Sequence, residues 1–187
     1  MPHFLRSWQA ERARRAQATA YVATLLAEPS AADVRWLTDA ATGGDEDHAR
    51  WELRYARCAA GLLAARRDAL DDRTASLVSG ALERAWQRDS RVASDRRDIA
   101  TRQLNTRLAA YADALAEKDG RESANTKLAR VLLGFSGRLD PTAGELAAAG
   151  ERLGAYLRDS SDALRNAFGA AVLPEDVRPS AAARPRK

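Results

Sequence analysis

Asp45, His48 and Glu52 are spaced by three and four residues, so on a helix their side chains share one face. A carboxylate–imidazole–carboxylate row offers the donor types a divalent metal takes, and di-metal helical bundles use Glu together with Glu-x-x-His ligands. That architecture needs a second such unit, whereas the other histidine, His3, stands alone near the chain start. A competing account needs no metal. Acidic side chains in the first turn of a helix are favoured by its macrodipole, and Glu46 stands four residues from Arg50, within ion-pair reach on a helix. Capping and solvation are therefore the first expectation for Asp45-Glu46-Asp47-His48. Binding of a divalent metal or small molecule around Asp45, His48 and Glu52 is the alternative.

Other constellations carry less. Asp68, Asp71 and Asp72 form a second acidic cluster, but Asp71 and Asp72 suit the N-cap of a following helix, and Arg67 and Arg73 offer ionic neighbours. Arg84, Arg88, Arg91 and Arg102 would form a basic stripe on one long helix, a surface for phosphate groups. Asp95 and Asp98 interrupt it, and a salt-bridged, solvated face is expected instead. Gly43-Gly44 between two helices resembles the turn of a DNA-binding pair, yet the second helix would then present Asp45, Glu46 and Asp47 to phosphates. Cys58 lies in a wholly apolar stretch, where burial raises a thiol's pKa and hinders attack, so it reads as core. No phosphate-binding glycine loop, Gly-x-Ser-x-Gly elbow or His-Glu-x-x-His unit occurs, which argues against an enzyme.

The elements that must position these residues are helices. The chain holds 42 Ala and 22 Leu against 7 Val and 1 Ile, so residues that cost little in a helix dominate and strand formers are scarce. Pro2 to about Glu28 reads as a first helix, stopped by Pro29. Ser30 caps a short second one that Gly43 and Gly44 end. A third runs from near Asp45 to Asp68; it is apolar or glycine at every position from Cys58 to Ala65, and so must be surrounded by the others. Residues 72 to 118 carry an unbroken apolar stripe with no proline, which predicts one long helix, with a bend near Ser90 if any. Ser123 caps a fifth helix. Asp140-Pro141 predicts an N-cap and first turn for a sixth, reaching about Ala170. The expected fold is all-α, an antiparallel bundle of five to six helices in one domain over 1–173. A flexible Pro/Ala/Arg tail is expected over 174–187.

Composition narrows function by exclusion. One cysteine rules out an internal disulfide, and with no long apolar run or signal-like start the chain is expected to be soluble and cytoplasmic. The 27 Arg against 3 Lys suit a GC-rich bacterial genome. Net charge is +4, but the basic excess sits at the two ends, so nucleic-acid binding through the termini is the weakest expectation. Trp8, Trp36, Trp51 and Trp86 fall on inferred apolar faces and read as core anchors. If Trp8 is exposed, it becomes an interface residue. A long amphipathic helix that outruns its core needs another surface over its stripe. The leading expectation is thus a non-catalytic protein acting through protein contacts, a homo-oligomer or adaptor, with Trp8, Leu104, Leu108 and Tyr111 at the interface.

Overall fold

The computed structural model describes residues 2–68, 71–116 and 122–169, the first five of them by backbone alone. The fold is all-α. Among the described residues seven helices follow one another: α1 Pro2–Leu25, α2 Ala31–Ala40, α3 Glu46–Asp68, α4 Asp72–Gln87, α5 Arg97–Ala116, α6 Ala124–Phe135 and α7 Ala143–Phe168. The expected tail, 174–187, lies outside the described residues. No described helix is long and apolar enough to cross a membrane.

Local chemistry sets most of the boundaries. Ser30, Asp71 and Ser123 each accept a backbone N–H of the first turn they precede, filling donors that a helix cannot fill internally. Asp45 does the same for α3, its Oδ1 accepting from the His48 amide at 2.9 Å. Gly43 and Gly44 adopt φ of 62° and 95°, the left-handed geometry that turns the chain between α2 and α3. The start of α7 differs from expectation. Thr142, not Asp140, is its N-cap, and Glu145 reaches back to the Thr142 amide to complete a capping box. Pro141 therefore lies before the helix rather than in its first turn. A Thr with Glu three residues on fills two backbone donors, where Asp140 would fill one.

The long helix expected over 72–118 is interrupted, which also raises the helix number above five to six. α4 stops at Gln87, residues 88–93 form turns, and a single 3₁₀ turn at Ser94–Arg96 leads into α5. The reason is Asp89. Its Oδ1 accepts from the Arg91 backbone amide at 3.0 Å and from Arg91 Nε at 2.8 Å, and its Oδ2 accepts from Arg54 in the core. A short acidic side chain bonded to the amide two residues on replaces the helical ladder with a turn. The apolar stripe survives the break because Val92 still packs inward, so sequence periodicity passes through it unmarked. The proposed basic stripe does not: Arg84 is on α4, Arg91 in the connection and Arg102 on α5.

α3 is the central element, packed against all six other helices. One face joins an apolar cluster with α1, α4, the start of α5 and the end of α7, through Tyr55, Cys58, Leu62 and Ala65. The other joins a second cluster with α2, α6 and the start of α7, through Ala49, Leu53, Ala56 and Ala59. Leu108 of α5 packs against both. Three interface expectations are corrected here. Leu104 and Tyr111 are 5% and 2% exposed and Leu108 is half-buried, so the bundle itself covers their stripe. Trp8 is 54% exposed. Of the four tryptophans, Trp86 alone is fully interior, while Trp36 and Trp51 are half-buried.

Candidate functional site: the cleft between α3 and α5

His48, Trp51, Glu52 and Tyr55 follow the 3–4 spacing of one helical face, and α3 turns that face towards α5. On α5 and the turn before it, Arg96, Ile99, Ala100, Gln103 and Arg107 hold the matching face. Glu52 meets Arg107, and Tyr55 meets Gln103, so the two helices run in opposite chain sense. Between them opens a cleft of about 530 Å³, closed at one end by Arg91, Val92 and Ala93 of the connection. That volume is within the roughly 300–1,000 Å³ of small-molecule pockets.

The floor is polar and internally bonded. Glu52 is 2% exposed, and its two oxygens accept from Arg107 Nη2 at 2.5 Å and Nε at 3.1 Å, a bidentate fork. The guanidinium lies 4.4 Å from the Phe135 ring centre and 5.1 Å from that of Tyr55, so aromatic faces flank it. Burial works against the charge on Arg107, but the Glu52 carboxylate outweighs it and raises the pKa further. His48 Nε2 stands 3.1 Å from the Phe135 carbonyl oxygen and 3.6 Å from Glu52. A carbonyl oxygen only accepts, so Nε2 carries a hydrogen, and in the neutral ring Nδ1 is the acceptor.

The wall on the α3 side is aromatic. Trp51 and Tyr55 have ring centres 5.9 Å apart, and both pack against Trp86 behind them, Trp51 edge-to-face at 6.1 Å. Arg54 stacks on Trp51 at 4.4 Å and is held from behind by Asp89. Burial pushes the Tyr55 hydroxyl up to about 12, helped by Glu52 and opposed by Arg107, so it stays protonated and donates to Gln103 Oε1 at 2.9 Å. Burial would also raise the Asp89 carboxyl. Its bonds from Arg91 and the Arg54 charge overcome that and hold it at about 2.

The metal reading of Asp45, His48 and Glu52 is not supported by this arrangement. Asp45 caps α3 and Glu52 is forked onto Arg107, which leaves His48 Nδ1 as the one donor of the three without a partner among the described residues. Among the described residues, no group of three His, Cys, Asp or Glu side chains stands close enough to hold a metal ion. The three residues do line one cleft, as their spacing implies. Sequence reasoning missed Arg96, Ile99, Gln103 and Arg107. The available signal was their shared helical face, at 96, 99, 100, 103 and 107, but which helix that face meets is not written in it. Cys58 is fully buried, and burial pushes its thiol up to about 12, as expected for a core residue. Asp71 caps α4, while Asp68 is held by Arg67 and Ser161.

No family model, curated protein or solved structure matches the chain.

Proposed function

We propose that this is a non-catalytic helical binding protein that takes a small organic molecule in the cleft between α3 and α5. One observation carries the reading: the aromatic wall of Trp51 and Tyr55 faces Ile99, an apolar side chain left 45% exposed, across a cleft of ligand size. Apolar surface lining a concave site is stabilised by an occupant that removes it from water. The deep polar groups support binding over catalysis, because Glu52, Arg107 and His48 are already bonded to protein partners that fix their positions. A lone interior thiol suits a reducing compartment, and a cytoplasmic location belongs to the same proposal.

The test is a titration of ¹⁵N-labelled protein with a library of aromatic fragments, followed by amide and indole shifts. Expected are shifts at the Trp51 indole N–H, the Gln103 side-chain amide and the Ile99 backbone with at least one chemotype. Silence at all three with every fragment up to about 1 mM, the weak end of measurable affinity, would overturn the reading.

A second reading, association with a protein partner or a second copy, rests on Trp8. This side chain is exposed on the outer part of α1, with Arg12 over its ring at 5.7 Å, and Trp and Arg are the residue types that anchor interfaces. Sedimentation of the chain and of Trp8→Ala tests it. A concentration-dependent dimer that the substitution weakens supports self-association, and identical monomers for both remove it.

A further inference from the structure

Resting on the cleft reading, we propose that the occupant is an anion with a flat apolar body, an aromatic carboxylate in chemical class, whose charge is received by Arg96.

The inference comes from which charges around the cleft are already satisfied. Arg107 is forked onto Glu52. Arg91 is bonded to Asp89 at both ends of its guanidinium and paired with Glu28. Of the acids at the opposite end, Asp45 caps α3 and Asp47 pairs with Arg50 at 3.4 Å, both at a helix N-terminus that favours negative charge. Arg96 is the cation left over. It is exposed, lines the cleft and has no ion-pair partner among the described residues.

Position supplies the rest. Arg96 and Gln103 are seven residues apart, about 10 Å along the axis if the helical rise is followed, with Ile99 and Ala100 between them. Tyr55 uses the Gln103 oxygen, so the Gln103 amide nitrogen keeps its donors for a ligand. A flat ring lying on Ile99 meets Trp51 and Tyr55 across the cleft, and a carboxylate at its end reaches the Arg96 fork. Arginine presents paired donors that match two carboxylate oxygens, which a neutral ligand cannot exploit. The acidic end does not compete for the same group. Asp45 caps α3 from just before its first residue, ten residues and about 15 Å of helical rise ahead of Tyr55.

The experiment measures binding of 2-naphthoate, its uncharged amide 2-naphthamide, and 2-naphthylmethylammonium to the full chain and to Arg96→Gln, by the same NMR shifts. Arg96 is exposed and bonded to nothing the fold depends on, so the variant is expected to fold; its spectrum away from the cleft verifies that. The expected result is naphthoate binding about fivefold more tightly than the amide, the factor an exposed ion pair supplies, with that advantage gone in Arg96→Gln. Equal binding of acid and amide, or tightest binding of the ammonium, would overturn the anion assignment while leaving the cleft as a binding site. If none of the three moves the Trp51, Ile99 or Gln103 signals, this inference falls; the cleft reading falls only if the wider library is silent as well.

Discussion

Glu52 and Arg107 show what a single pair does when both partners leave water together. The carboxylate is buried, so its charge is tolerable only because the Arg107 fork replaces its hydration, while the rings of Tyr55 and Phe135 flank the guanidinium in turn. Arg107→Met is expected to lower unfolding free energy by about 3 kcal/mol, because it strands a buried anion. Glu52→Gln combined with Arg107→Met is expected to cost clearly less than Arg107→Met alone, as read from urea midpoints. Asp89 makes a pH prediction of definite sign. Its folded pKa, about 2, is below the ordinary aspartate value of 3.8, so its contribution is fully present above about pH 4 and is lost as pH falls towards 2. Asp68, held at about 2 chiefly by the bond from Arg67, titrates in the same window. Wild type is expected to lose stability across that window, with Asp89 supplying about 1–2 kcal/mol of the loss. Asp89→Asn is expected to flatten the curve by that share, and an unchanged acid limb would count against the assignment.

At the scale of elements, α1 and α3 approach closely at Gly61. The Tyr21 hydroxyl donates to the Gly61 carbonyl at 2.9 Å, and a Cβ added at Gly61 would fall 2.3 Å from Leu25 Cδ1 and 2.9 Å from its Cγ. Leu25 is itself interior, so its Cγ and both its methyl groups would have to shift together to make room. Gly80 on α4 offers a control, since a Cβ there meets only the Arg84 guanidinium, at 3.3 Å. Alanine improves helix propensity by roughly 1 kcal/mol at either position, but overpacking costs about 1–3 kcal/mol where nothing can yield. Gly80→Ala is therefore expected to raise the thermal midpoint and Gly61→Ala to lower it. The same sign for both would refute the close-approach account. Helix ends were legible to the extent that one cap excluded its rivals. Ser30, Asp71 and Ser123 could be read from sequence, whereas Asp140-Pro141 lost to Thr142 because the Glu145 partner makes the later cap stronger. The break at Asp89 was not legible, since an Asp inside an apolar stripe can equally stay helical, and the Arg54 contact that holds it buried beside its bond to the Arg91 amide comes from thirty-five residues away.

For the whole molecule, α3 belongs to both apolar clusters, and Leu108 bridges them. Neither cluster keeps a complete core once α3 is lost, so the chain is expected to unfold in one transition. Near-ultraviolet signal from Trp86 and far-ultraviolet helicity should share one midpoint; two separated midpoints would mean that the clusters are independent units. The residue pattern set the helical class, because Ala and Leu leave strands nothing to build with. It also determined the central place of α3, because a helix apolar all round has to be surrounded. The 3–4 spacing put His48, Trp51, Glu52 and Tyr55 on one face. Tertiary structure alone decided what that face meets. Arg107 occupies Glu52, Asp89 divides the expected long helix, and the bundle buries the Leu104–Tyr111 stripe offered as an interface. Periodicity records which side of a helix is apolar through local geometry, whereas the partner across the cleft is fixed by packing between residues some fifty positions apart.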